Sequence, residues 1–293
     1  MTKQTLFTGS ATAIVTPFRD GGIDYEAFGE LIDFQIENGT DAIVVLGTTG
    51  ESATISESER YEIIAFAKRR INKRVPLIVG SGTNNTQVSL RYSKSAESQG
   101  ADGLLIVTPY YNKATERGLI EHFSLIAKSV DVPVILYNVP SRTGVNIPIG
   151  VSKALFGVEN IVGIKEASGN IATSAEIIHI FHDRYDVYSG CDDLTLPILS
   201  LGGKGVISVV SNILPQIMHT LCHEFLNNNH KKSTELQLYL MPLIKEMFSE
   251  VNPIPIKTAL YLMGKIQNEF RLPLCQSTRT DSIEATLKQY GVL

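Results

Sequence analysis

Lys165 lies near the end of the apolar run Ile161-Val162-Gly163-Ile164-Lys165-Glu166-Ala167-Ser168, which otherwise reads as a buried strand. An ammonium in an apolar interior is costly, so a lysine there is either paired or held with a lowered pKa. A reference lysine near pH 7 keeps roughly one amine in a few thousand neutral. Desolvation raises that fraction, and a neutral amine attacks a carbonyl carbon to form a Schiff base. Side chains alternate along a strand, so Lys165 and Glu166 face opposite ways and do not neutralise each other. From this strand alone, a lysine reaching past the strand end into solvent is the competing reading.

The elements that must position this amine are legible as alternation. Short apolar runs at 10–15, 41–46, 75–80, 103–108, 132–139, 161–167, 185–189 and 205–210 read as strands. Between them lie helical patterns at 25–38, 57–72, 86–99, 119–130 and 171–182. Asp24 precedes the first, Ser56 and Glu59 form a capping box for the second, and Gly39 and Gly100 sit where C-caps belong. Eight strands spaced for helical crossovers imply parallel pairing and a (β/α)8 TIM barrel. A doubly wound open sheet is the alternative, but it gives no reason for eight near-continuous apolar strands. The polar stretch 227–232 breaks the pattern, and 233–250, 255–269 and 281–290 read as helices without a further strand. The expected organisation is therefore a catalytic barrel over 1–229 followed by a small C-terminal all-helical region over 230–293.

In such a barrel the chemistry sits where the strands end. The second strand runs into Gly47-Thr48-Thr49-Gly50-Glu51-Ser52, and the fourth into Thr108-Pro109-Tyr110-Tyr111-Asn112. The fifth ends in Tyr137-Asn138-Val139-Pro140-Ser141-Arg142-Thr143-Gly144, and the seventh in Ser189-Gly190-Cys191-Asp192-Asp193; the eighth holds Ile207. Hydroxyls, phenols and one arginine thus ring the lysine. Carbonyl chemistry on a small acid needs such a set: an amine as nucleophile, phenols to move protons, hydroxyls and backbone N–H groups for one carboxylate, and a guanidinium for a second. Singly, each element has a plainer reading: a glycine turn, core aromatics, a surface arginine. Their placement at successive strand ends favours the functional one.

These motifs carry a resemblance. Ala13-Ile14-Val15-Thr16-Pro17, GTTGES at 47–52, TPYYNK at 108–113, YNVPSRTG at 137–144, GIKEASG at 163–169 and SGCDD at 189–193 resemble the dihydrodipicolinate synthases, within the pyruvate-dependent aldolase superfamily that includes N-acetylneuraminate lyase. The similarity runs essentially the whole length of the chain. It implies that Lys165 forms an imine with pyruvate, and that Tyr137, Thr48 and Tyr111 relay protons, with Tyr111 crossing from a neighbouring subunit. It further implies that Thr49 holds the pyruvate carboxylate, that Arg142 binds the carboxylate of aspartate semialdehyde, and that Gly190 and Ile207 complete the pocket through their backbones. A homodimer at least is implied, and a tetramer through a second, smaller contact is common in the family. Arg142 and the Thr48-Thr49 pair count against the sister sialic-acid lyases. The presence of Lys165 and Tyr137 counts against a non-catalytic barrel.

The resemblance also bears on regulation. Lysine-inhibited members bind that amino acid at the dimer interface. Ser52, Ala53, Asn84 and Tyr110 match that pocket, whereas Glu57 and Arg60 stand in place of histidines and Val88 in place of a glutamate. Insensitivity to L-lysine is the expectation.

Composition excludes other classes. The net charge of −4 with dispersed signs makes nucleic acid and anionic membrane poor partners. Cys191, Cys222 and Cys275 show no CxxC pairing, which fits a reducing compartment. The opening MTKQTLFTGS lacks an apolar leader core, so a cytoplasmic protein is expected. No GxGxxG supports a nicotinamide or flavin, and no cofactor is expected. His219 and His223 have metal-ligand spacing without the glutamate of HExxH, and are read, like His179 and His182, as solvent-facing; no metal is expected. Asp192-Asp193 reads as the start of the helix after the seventh strand.

Overall fold

The computed structural model describes residues 5–293. Eight parallel strands close into a barrel: β1 Gly9–Ala13, β2 Ala42–Val45, β3 Leu77–Gly80, β4 Gly103–Val107, β5 Val134–Asn138, β6 Ile161–Glu166, β7 Asp186–Ser189 and β8 Gly205–Ser208. Each strand pairs with its neighbours in sequence, and β1 pairs with both β2 and β8 to shut the ring. The expected strand runs and the observed strands agree to within one or two residues, because each apolar run is a strand buried on both faces. A two-stranded hairpin, Phe18–Arg19 with Gly22–Ile23, is an addition that the sequence pattern does not announce.

The helices are α1 Tyr25–Glu37, α2 Glu57–Ile71, α3 Thr86–Ser98, α4 Glu116–Ala127, the short α5 Pro140–Thr143 and α6 Ile149–Ala154, α7 Ile171–Phe181, α8 Thr195–Ser200 and α9 Pro215–Leu226. Asp24 caps α1, and Ser56 with Glu59 forms the expected capping box on α2. α4 starts earlier than the apolar pattern suggests, since Thr115 accepts a hydrogen bond from the Gly118 N–H and caps it there. Three further helices follow: α10 His230–Met247, α11 Ile254–Leu262 and α12 Thr280–Gln289. α11 stops well short of the expected 269, with Gly264 in the left-handed region after its last turn.

Two apolar layers result. Inside the barrel, Ala11, Ala42, Val44, Ile78, Leu105, Ile135, Tyr188 and Ile207 pack together. Phe7 plugs the N-terminal end, stacked on Tyr188 at 4.3 Å and accepting the Tyr188 hydroxyl through its carbonyl. The outer layer between strands and helices runs without a break into Leu240, Leu243, Met247, Ile256, Leu260, Ile283 and Leu287 of the last three helices. They are therefore anchored on the barrel, and the segments between them can reach over its C-terminal face.

His122 of α4 is buried, with Nδ1 2.9 Å from the Thr86 hydroxyl and Nε2 without a partner among the described residues. Burial pushes its pKa down to about 4. The unfolded chain, with an imidazole pKa near 6.5, therefore binds the extra proton between these values. The contribution to stability is complete above about pH 6.5 and is lost as the pH falls toward 4, by about 3 kcal/mol at most. Urea unfolding of the wild type and His122→Gln across this range should show a shallower acid slope for the variant; equal slopes would assign the acid sensitivity elsewhere.

Candidate active site

Lys165 is the residue around which the C-terminal face is built. It pairs in register with Tyr137 of β5 on one side and Tyr188 of β7 on the other, so all three side chains share one face of the sheet. The side chain is only 5% exposed. Its Nζ lies 4.4 Å from the centre of the Tyr137 ring, a cation–π distance.

The buried carboxylates of Glu166 and Asp192 are engaged with other donors. Glu166 points the other way, as expected, and accepts from the Asn138 amide at 2.8 Å and the Ser168 N–H at 2.6 Å. Asp192 is fully buried and accepts from the Ser208 hydroxyl at 2.5 Å and the N–H groups of Val209 and Val210. Burial raises its pKa against these hydrogen bonds and the Lys165 charge. Asp192 thus does more than start a helix: it ties the end of β7 to the end of β8 behind the lysine. Among the described residues, no carboxylate forms an ion pair with Lys165.

The amine opens into a cavity of about 230 Å3, whose walls include Thr48, Thr49, Tyr137, Arg142, Lys165 and Gly190. Six of the eight residues singled out from the sequence therefore meet at one place. Gly190 is there because nothing larger fits: a Cβ would lie 2.6 Å from the Ala167 Cβ and 3.0 Å from the Lys165 Cε. Tyr111 does not join them. It is 90% exposed and held at φ 72°, a left-handed conformation that a bulky residue rarely adopts. Ile207 is also outside the cavity wall; it faces the inner core opposite Ala11, and Val209, two residues further on, lines the cavity instead.

The loop carrying Thr48 and Thr49 is fixed at three points. The Thr16 hydroxyl donates to the Gly50 carbonyl at 2.8 Å, and the Asn252 amide donates to the Thr49 hydroxyl at 2.9 Å. Lys257 meets Glu51 at 2.5 Å in a fully buried ion pair between the rings of Phe18 and Phe270. Burial lowers the Lys257 pKa, and the Glu51 charge opposes that shift. Because Thr49 accepts from Asn252, its own proton remains available to a ligand carboxylate. Asn252 also accepts the Arg142 guanidinium through its carbonyl at 2.9 Å, which holds that side chain at the mouth. The Cys191 thiol in the wall is pushed up to about 12, first by burial and then by the neighbouring aspartates, and is an inert spacer at neutral pH.

Asn252, Phe248 and Cys191 are wall residues that the sequence reading did not assign. Cys191 lies within a quoted motif. Asn252 and Phe248 come from the segment after α10, and only the prolines at 253 and 255 mark that segment as a bend.

A second cavity, about 510 Å3, adjoins the mouth and is lined by Ser52, Ala53, Asn84, Val88, Tyr110 and Arg60, among others. Arg60 is buried beneath it, bonded to the carbonyls of Gly80 and Ser52 and stacked 4.3 Å from the Tyr92 ring. Glu57 departs from the expected set; it faces outward toward Arg91 at 3.4 Å and does not line this cavity.

A closed barrel with a buried lysine that forms no ion pair among the described residues, set among hydroxyls at the C-terminal face, has the architecture of a barrel enzyme. The model described as the dihydrodipicolinate synthetase family matches residues 6–290, and the chain belongs to that family. A curated relative, 4-hydroxy-tetrahydrodipicolinate synthase of Lachnoclostridium phytofermentans, is 54% identical over 273 residues, covering 92% of this chain and 93% of its own. The dihydrodipicolinate synthase structure from Aquifex aeolicus superposes with a TM-score of 0.96 at 44% identity, covering 98% of this chain and 99% of its own. The chloride-inhibited enzyme of Acinetobacter baumannii, solved in complex with pyruvate, gives 0.96 at 40% identity over 99% of this chain and 100% of its own.

The Glu51–Lys257 pair should behave as a buried couple. Lys257→Met leaves Glu51 buried without its cation and should cost about 3–5 kcal/mol in urea unfolding. Adding Glu51→Gln should recover much of that loss. Strictly additive losses would show that the two residues act independently.

Proposed function

We propose that the chain condenses pyruvate with L-aspartate 4-semialdehyde to 4-hydroxy-tetrahydrodipicolinate, the committed step toward diaminopimelate and lysine, in the cytoplasm. The observation that carries this reading is a buried Lys165 amine beside Tyr137, in a cavity that is also lined by Thr49 and Arg142, both held by Asn252. A hydroxyl and a guanidinium in the same cavity as the amine suit two small acids joined at carbonyl carbons.

In this reading the neutral Lys165 amine adds to the pyruvate carbonyl and water leaves, giving the imine. Loss of a methyl proton gives the enamine, whose carbon attacks the semialdehyde aldehyde. The amino group of that substrate then displaces Lys165 by transimination and closes the ring. Tyr137 and Thr48 carry protons, and the threonine hydroxyl suits the task because it both donates and accepts. Thr49 holds the pyruvate carboxylate, and the Gly190 backbone lies against it. Tyr111 completes the relay from a second copy of the chain. Its exposure and left-handed backbone support that role, since a strained aromatic aimed at solvent gains its contacts from a partner. A dimer is then the smallest active unit.

Offering aspartate semialdehyde and an N-acetylmannosamine-type aldehyde side by side with pyruvate tests the assignment. Turnover of the first alone is expected; turnover of the second alone would transfer the chain to the sister lyases. Arg142→Ala should lower kcat/KM for the semialdehyde about ten- to a hundredfold, the value of roughly 1.5–3 kcal/mol in charge-assisted hydrogen bonds. Imine formation with pyruvate should change far less. Equal losses in both would make Arg142 a support of the fold only.

The second cavity supports insensitivity to L-lysine. Val88 offers no carboxylate for a ligand's amino group, and the cavity carries the Arg60 charge. A titration should show no half-inhibition below about 1 mM, the level that corresponds to roughly 4 kcal/mol of binding. Inhibition at lower concentration would overturn this part of the proposal.

A further inference from the structure

His219 and His223 do not face solvent freely. One helical turn apart on α9, they share a face and close on Asp41, which immediately precedes β2 at the opposite end of the barrel from Lys165. His219 Nδ1 lies 3.2 Å from one Asp41 carboxylate oxygen, and His223 Nε2 lies 2.9 Å from the other. The two rings stack at 4.0 Å, and all three donor atoms fall within 4.8 Å of one another. The carboxylate comes from 178 residues earlier in the chain than His219, which is why no local motif announces the cluster.

We propose that Asp41, His219 and His223 form a divalent transition-metal site, with Zn2+ the ion best suited to it. Two imidazole nitrogens and a carboxylate are a Zn2+ donor set, and tetrahedral bonds of about 2.0–2.1 Å place neighbouring ligand atoms roughly 3.3 Å apart. The two His–Asp separations are already close to that spacing, so an ion enters by small side-chain shifts, with each ring's proton moved to its other nitrogen. Three protein ligands leave the fourth position to water, and all three residues keep partial exposure, through which an ion arrives.

Two further features favour a held cation. The Ser10 N–H donates to an Asp41 carboxylate oxygen at 2.7 Å, which orients the ligand from behind. His223 sits in the last turn of α9, where the helix end favours positive charge. Gly9 leaves the room: a Cβ there would fall 2.2 Å from the Asp41 oxygen and 2.7 Å from the His223 Nε2, so only glycine lets the three side chains converge. The site would bridge β1, β2 and α9 at the N-terminal face, remote from the chemistry.

The test titrates Zn2+ into the untagged full-length chain by calorimetry, and Co2+ by visible absorption. The wild type should bind one Zn2+ per chain, raise its melting temperature with the ion, and give the intense d–d bands of four-coordinate Co2+. His219→Ala and His223→Ala should each weaken Zn2+ at least about tenfold. The double variant should lose the Co2+ bands, while borohydride trapping of pyruvate stays unchanged. Should the double variant fold poorly, Asp41→Asn carries the same comparison. One-equivalent binding that survives these substitutions, or wild-type binding no stronger than that of the variants, would overturn the site.

Discussion

An amine buried at the end of a barrel strand, with no carboxylate paired to it among the described residues, is the constraint on which the rest of the site depends. Lys165 is 5% exposed, and the buried carboxylates of Glu166 and Asp192 are occupied by other donors. Glu166 is turned to the far side of β6 and held by Asn138 and Ser168. Asp192 is held by Ser208 and two backbone N–H groups. The polar network around the lysine thus satisfies both buried carboxylates without drawing on its amine.

The same logic explains the C-terminal helices. The loop that presents Thr48 and Thr49 turns through left-handed positions at Leu46 and Glu51 and needs external support. Asn252 and Lys257 supply it from the far end of the chain, one by hydrogen bond and one by a buried charge. The helices beyond the barrel are therefore part of the active-site scaffold, and their attachment through a continuous apolar layer is what makes that support rigid.

The strands and most helices were legible because burial on both faces leaves an uninterrupted apolar run, and caps leave local signatures. Lys165 was legible for the same reason, as a charge where the run allows none. Thr48, Thr49, Arg142 and Gly190 followed from their positions at strand ends. Asn252, the Glu51–Lys257 pair and the Asp41 cluster were not legible, because their partners lie far apart in sequence and neither side carries a periodic signal. The Ile207 side chain fills the barrel interior, so a role for it at the pocket belongs to its backbone, and the side chain lining the wall nearby is that of Val209. Glu57 shows the limit of carrying a role by position, since it faces outward and does not line the second cavity.

The most direct test of the reactive amine is chemical. Pyruvate and borohydride are incubated with the chain, and the reduced adduct is located by peptide mapping, with Lys165→Ala alongside. The account predicts one adduct, on the peptide that contains Lys165, and none in a folded Lys165→Ala variant. An adduct on Lys204 or Lys257, or one that survives the substitution, would contradict it.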